Sequence, residues 1–152
     1  MLLSDLGKGE IVFDQLPQSA CGSSGELLYC DTNVFDPEHG ISDPQKHLLE
    51  DALRRGKFRI AVGLDCFIEP LLVFKSGSDD QRSKASIQIR RIMRWCDLRR
   101  IVKPVEQLLV DDILSYTETG QPAGAFLDGI QLKAVTLALK QFDSNESPQT
   151  TT

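Results

Sequence analysis

Short apolar runs that alternate with longer amphipathic segments constrain the fold of this chain more than any other feature. The runs are LLYC (27–30), FRIAVG (58–63) and RIVKPV (100–105). Runs of this length are typical of buried strands, and the segments between them are long enough for helices that cross a sheet. The alternation predicts an α/β fold, a three-layer α/β/α sandwich with a short central parallel sheet.

Four segments have helical spacing. The clearest begins at Asp43, the predicted N-cap, has Pro44 in its first turn and ends at Gly56. The others cover about residues 82–97, 106–120 and 122–142. The segment CFIEPLLVF is harder to interpret, because a proline disfavours helical geometry in the residue before it, here Glu69.

This order of elements predicts an N-terminal extension (1–25), one α/β domain (26–142) and a disordered polar tail (143–152). Because the last helical segment leads directly into the tail, we expect the sheet to lack its last strand or strands. No apolar run approaches the roughly 20 residues of a membrane span. We therefore expect no membrane association. The four cysteines are widely spaced and form no CxxC pair, so we expect neither a disulfide framework nor a zinc site, and a cytoplasmic location.

Two acidic residues follow the first two apolar runs. Asp31 comes directly after the first run, and Glu69 comes a few residues after the second. Ligands of parallel α/β sheets gather at the carboxyl ends of the strands, and carboxylate oxygens suit a hard cation such as Mg²⁺ or Mn²⁺. The two residues are therefore candidate metal ligands. The structural alternatives are a turn-forming aspartate and an exposed glutamate at a helix start.

A third candidate ligand, Asp128, lies in the last helical segment. On a helical projection it falls between Val135 and Leu139, in the arc that should be buried. Burial of an unpaired carboxylate costs several kcal/mol, and a metal ion would remove that cost. Alternatively, Asp128 is a partly exposed first-turn acid that the helix dipole favours.

Positive charge concentrates between residues 82 and 103, which contain eight basic residues and one acid. Such a segment is either the footprint of a polyanion or a solvated helix face. In the first interpretation Arg90, Arg91 and Arg94 contact phosphates and Trp95 stacks on a base. In the second, Trp95 packs against a neighbouring helix.

The segment LLYCDTNVF resembles the opening of PIN domains, in which a hydrophobic first strand delivers an Asp followed by Thr or Ser and often Asn. Glu69 in IAVGLDCFIEPLL and Asp128 in FLDGIQLKAVTLAL match the second and third acids of that family. The resemblance covers about residues 27–142. PIN-like proteins are typically Mg²⁺- or Mn²⁺-dependent ribonucleases, and many are toxins of toxin–antitoxin pairs.

The resemblance implies that Asp31, Glu69 and Asp128 are catalytic and hold Mg²⁺ or Mn²⁺. It further implies that Thr32 and Asn33 bind the RNA substrate, and that an antitoxin or another protein is a partner. Pro70 and the absence of a fourth acid on a following strand depart from the family pattern. The alternative is therefore a non-catalytic PIN-like module that binds RNA or a protein. A sheet with an open edge would also favour a homodimer.

Overall fold

Strands and helices alternate along residues 25–146, which are the residues that the computed structural model describes. The elements are β1 (Glu26–Cys30), a 3₁₀ helix (Thr32–Phe35), α1 (Asp43–Arg54), β2 (Phe58–Gly63), α2 (Asp65–Ser76), α3 (Asp79–Trp95), β3 (Cys96–Val102), α4 (Val105–Thr119) and α5 (Gly129–Glu146). The described chain divides into two compact units, residues 25–126 and residues 127–146.

The sheet belongs to the first unit and has the strand order β1-β2-β3, with both pairs parallel. Leu28 is paired with Ile60, and Ile60 is paired in turn with Cys96. An isolated antiparallel bridge joins Val102 to Phe126 beside the end of β3. The predicted α/β class with a parallel sheet is confirmed, and the arrangement is compatible with a three-layer sandwich.

Serines cap the helices on either side of α2. The Ser42 hydroxyl accepts the Gln45 amide at 3.4 Å, and the Gln45 side chain accepts the Ser42 amide at 3.0 Å. The prediction of Asp43 as N-cap is therefore wrong, because this reciprocal capping box begins one residue earlier. Ser78 and Gln81 form the same box, which starts α3 at Asp79, before the predicted residue 82.

The third strand begins at Cys96, four residues before the predicted start of RIVKPV, and α3 passes into it without a loop. The buried carboxylate of Asp97 obscures this strand in the sequence. It accepts hydrogen bonds from Arg59 Nη1 at 3.2 Å and Arg99 Nε at 2.9 Å. These charged hydrogen bonds offset much of the free-energy cost of burying a carboxylate, so β3 can contain Asp97.

Pro70 lies inside α2, although a proline disfavours helical geometry in the residue before it, Glu69. A proline cannot donate a hydrogen bond to the carbonyl four residues earlier, here that of Cys66. The side chain of Pro70 is fully buried, and this apolar burial opposes the cost of the proline. Glu69 is helical as well, and it lies in the second turn of α2.

In the second unit, α5 extends to Glu146, so the first four residues of the predicted tail are helical. The rest of that tail, and residues 1–24 of the predicted N-terminal extension, lie outside the described residues. Among the described helices, none combines the length and the apolar character needed to cross a membrane.

Candidate functional site

A cleft of about 570 Å³ opens in the first unit beside the carboxyl end of β1, between the loop that follows this strand and helices α2 and α3. Its polar lining is rich in oxygen atoms and comprises Asp31, Thr32, Asn33, Asp36, Glu38, Glu69, Gln81, Lys84 and Gln88. Four of these side chains are carboxylates and one is a cation. The cleft therefore attracts cations and repels anions.

Asp31 is the first residue after β1 and is exposed. Its Oδ1 accepts the backbone amide of Thr32 at 2.7 Å, which caps the 3₁₀ helix, and its Oδ2 accepts Asn33 Nδ2 at 3.5 Å. The turn-forming role that the sequence allows is thus present. Each oxygen keeps further acceptor capacity, because a carboxylate has about four lone-pair positions.

Glu69 reaches the same cleft from α2, the helix that follows β2, and it is exposed. A hydrogen bond joins the 3₁₀ helix that follows Asp31 to α2: the Thr32 hydroxyl donates to the Cys66 sulfur at 3.2 Å. Burial raises the pKa of the Cys66 thiol, so the thiol remains protonated at neutral pH. The structure thus brings Asp31 and Glu69 to one site. Their role as metal ligands stays a prediction.

Two acids of the cleft were missed in the sequence. Asp36 Oδ1 accepts the backbone amide of Glu38 at 2.8 Å, and this hydrogen bond lowers the pKa of the Asp36 carboxyl. Glu38 forms an ion pair with Lys84 of α3, which raises the pKa of that lysine. The segment DPEHG reads as an ordinary turn, so no signal in the sequence marks its acids.

Gly40 allows close packing of the loop that carries Asp36 and Glu38. A Cβ atom at this position would lie 2.6 Å from the carbonyl oxygen of Asn33 and 2.7 Å from that of Asp36. These distances are shorter than any real contact of a Cβ atom, so only glycine fits without a shift of the backbone. The loop that carries Asp36 and Glu38 is therefore fixed by close backbone packing.

Asp128 lies in the second unit, directly before α5, and is exposed. Its Oδ1 accepts the Gln131 amide at 2.8 Å, and the Gln131 side chain accepts the Asp128 amide at 3.2 Å. The expectation that Asp128 falls in a buried arc is wrong, because the residue caps the helix instead of lying within it. The alternative, a partly exposed acid in the first turn, is close but not exact, since Asp128 is exposed and lies one residue before α5. Its role as a metal ligand stays a prediction.

The donor atoms of the cleft are carboxylate, hydroxyl and amide oxygens, the ligands that Mg²⁺ prefers. Within residues 25–146 no three histidine, cysteine, aspartate or glutamate side chains are gathered as a metal-binding group. Mg²⁺ usually keeps several waters and needs only one or two protein carboxylates. Asp31 and Glu69 fit that requirement by their chemistry.

The arginines predicted to bind phosphate have partners within the fold. Arg91 is nearly buried, donates to the carbonyl oxygen of Ile41 at 2.9 Å, and lies 5.2 Å from the Trp95 ring centroid. Arg94 forms an ion pair with Glu50, and Arg90 is partly exposed. A phosphate contact by any of the three stays a prediction.

The expectation that Trp95 stacks on a base is wrong. The side chain is fully buried, its Nε1 donates to Glu50 at 3.2 Å, and its ring lies against Phe35. An indole enclosed in this way offers no face to a nucleotide. The alternative prediction, that Trp95 packs against a neighbouring helix, is confirmed, since its partners Phe35 and Glu50 belong to the 3₁₀ helix and to α1.

Comparisons with protein-family models, with curated proteins and with solved structures found no match for this chain. The functional assignment therefore depends on the residues of the cleft and on the chemistry that they allow.

Proposed function

We propose that this chain is a PIN-like ribonuclease that requires Mg²⁺ or Mn²⁺ and acts in the cytoplasm, and that its metal site lies in the acidic cleft. The observation that carries the proposal is the position of Asp31 and Glu69. They come from the segments after two neighbouring parallel strands and line one cleft. Carboxylates at the carboxyl ends of adjacent strands are a suitable arrangement for a divalent cation.

A divalent cation bound in this cleft would supply Lewis-acid activation of water and neutralise charge on the scissile phosphate. Asp31 and Glu69 would hold it. The Thr32 amide and the Asn33 side chain orient the Asp31 carboxylate, so they act as positioning groups. Thr32 and Asn33 also line the cleft, and binding of the RNA substrate by these two residues is part of the proposal.

The charge of the cleft supports a requirement for metal before RNA binds. Four carboxylates face one lysine, and Lys84 is already paired with Glu38. RNA is a polyanion, so the empty cleft repels it, and a bound divalent cation reverses much of that repulsion. Cleavage should therefore depend steeply on the concentration of Mg²⁺ or Mn²⁺.

The test is cleavage of a labelled single-stranded RNA in Mn²⁺, in Mg²⁺ and in EDTA. We expect metal-dependent cleavage by the wild type and a loss of at least about a hundredfold in Asp31→Asn and Glu69→Gln. Asp51→Asn is the control, because this exposed acid on α1 pairs with Arg55. Equal cleavage by all variants would contradict the proposal.

A second candidate function is a non-catalytic PIN-like module that binds RNA or a protein partner. The observation that favours it is the lack, among residues 25–146, of three potential ligands gathered at one point. This function predicts RNA binding without cleavage in any divalent cation. The same assay distinguishes the two, because intact RNA that is nonetheless retained by the protein supports the module.

A further inference from the structure

One side of helix α3 forms a wall of the cleft. Four of the residues that line the cleft belong to this helix: Gln81, Lys84, Ala85 and Gln88. They follow one another at intervals of three, one and three residues, and side chains at these intervals lie on one side of a helix. We call this surface the α3 wall.

The α3 wall carries hydrogen-bond donors that the fold does not use. Gln81 Oε1 accepts the Ser78 amide in a capping box, so this side chain is occupied. Gln88 is half-buried, and within residues 25–146 its side chain has no hydrogen-bond partner. Lys84 pairs with Glu38, but an ammonium group has three N–H donors and one pair does not use them all. Lys84 and Gln88 can therefore both donate to a ligand of the cleft.

Apolar surface lies beside these donors. Ala85 belongs to the α3 wall and is buried, and Pro37 lines the cleft from the loop that follows β1. The flat face of a ring can pack on such groups while its polar edge meets the donors. The cleft volume of about 570 Å³ is within the range of pockets that enclose small organic groups.

The polar groups of the cleft differ in character between α3 and the loop after β1. Lys84 and Gln88 supply N–H donors from α3, whereas Asp36 and Glu38 supply carboxylate acceptors from the loop. Guanine has the complementary polarity, because O6 and N7 are adjacent acceptors on one edge and N1–H and the N2 amino group are adjacent donors on another. Adenine has an amino group in place of O6, and the pyrimidines have no N7.

We propose that the cleft binds a guanine base of the RNA substrate, with Lys84 and Gln88 donating to O6 and N7. The face of the base packs on Pro37 and Ala85. Gln88 is then a specificity-determining residue, and cleavage occurs next to guanine. This inference rests on the proposed function, since the metal ion held in the same cleft would lie beside the bound nucleotide.

The test compares two short single-stranded RNAs, one with a single guanine among uridines and one of uridine alone. Binding is measured by fluorescence anisotropy in Ca²⁺, which slows cleavage. We expect the wild type to bind the guanine RNA at least about tenfold more tightly than the uridine RNA. In Gln88→Ala most of this preference should be lost while the affinity for the uridine RNA stays the same. A merely structural role of Gln88 would instead lower both affinities.

Gln107→Ala is the matched control, because Gln107 is a half-buried glutamine on α4 that does not line the cleft. A base analogue tests the single atom. Deazaguanine, in which a C–H group replaces N7, should bind the wild type several-fold more weakly than guanine, and Gln88→Ala should distinguish the two bases less.

The outcomes separate this inference from the proposed function. Equal binding of both RNAs by the wild type, or an undiminished preference for guanine in Gln88→Ala, would overturn the guanine site and leave the proposed function standing. A preference for guanine that Gln88→Ala abolishes, with RNA that stays intact in Mn²⁺, would support the guanine site and contradict the nuclease. Binding of neither RNA would contradict both.

Discussion

Arg94 on α3 and Glu50 on α1 form a bidentate ion pair. Arg94 Nε lies 2.7 Å from Glu50 Oε1, and Arg94 Nη2 lies 3.3 Å from Glu50 Oε2. The Glu50 carboxylate is almost completely buried and also accepts the indole N–H of Trp95. One buried acid thereby joins two helices and holds the largest side chain of the core. Arg94, which the sequence analysis predicts to contact RNA phosphates, therefore contributes to the stability of the fold.

Replacement of Glu50 by alanine should destabilise the protein by roughly 1–3 kcal/mol, because it leaves the buried Trp95 N–H without its acceptor and removes the link between α1 and α3. Urea unfolding followed by tryptophan fluorescence measures this change. Asp51→Ala is the control. It removes an exposed pair with Arg55 and should cost less than about 1 kcal/mol. Similar losses in both variants would show that the Glu50 pair is not structural.

The stability that Glu50 provides should decline in acid. The hydrogen bond from Arg94 lowers the pKa of the Glu50 carboxyl below its ordinary value of 4.5. A group whose pKa is lowered by folding stabilises the protein above its unfolded pKa, and this contribution is lost as the pH falls through the folded pKa. The difference in melting temperature between wild type and Glu50→Gln should therefore shrink below about pH 4.5. A difference that is constant from pH 7 to about pH 2 would contradict this account.

Gly40→Ala should displace the loop that forms one wall of the cleft. The added methyl group would collide with backbone carbonyl oxygens of that loop, so we expect a lower melting temperature and weaker binding of Mn²⁺. Gly124→Ala is the matched control, since a Cβ atom there meets nothing within 4 Å. Equal stability of the two alanine variants would show that close packing around Gly40 does not constrain the loop.

Lys84→Ala should change the affinity of the cleft for Mn²⁺ and its affinity for RNA in opposite directions. Loss of the lysine frees Glu38 and makes the cleft more negative, so the affinity for Mn²⁺ should rise several-fold. The affinity for RNA, measured in Ca²⁺ to slow cleavage, should fall. Lys57→Ala, at an exposed position before β2, is the control. A parallel change in both affinities would indicate that Lys84 acts through the fold.

The strands and helices were largely predictable, because their apolar spacing follows directly from the sheet and its helical cover. The failures have specific causes. The start of β3 was missed because the buried Asp97 makes it look polar, and the ion pairs that allow its burial come from Arg59 on β2 and from Arg99. Arg59 lies 38 residues before Asp97, so a local pattern of polar and apolar residues does not reveal this pair.

The candidate site was predictable only in part. Asp31 and Glu69 could be placed at one edge of the sheet, since parallel strands bring their carboxyl ends together. Asp36 and Glu38 could not, because their positions depend on how a loop folds around Gly40. Trp95 was ambiguous for a similar reason. Its burial depends on Glu50, a residue 45 positions earlier in the chain.

The most direct test of the central claim is calorimetric titration of Mn²⁺ into the purified wild type and into Asp31→Asn, with Asp51→Asn as the charge-matched control. The account predicts saturable binding by the wild type and by the control, and a loss of at least about tenfold in affinity for Asp31→Asn. No binding by any of the three proteins, or equal binding by all of them, would contradict a carboxylate metal site in the cleft.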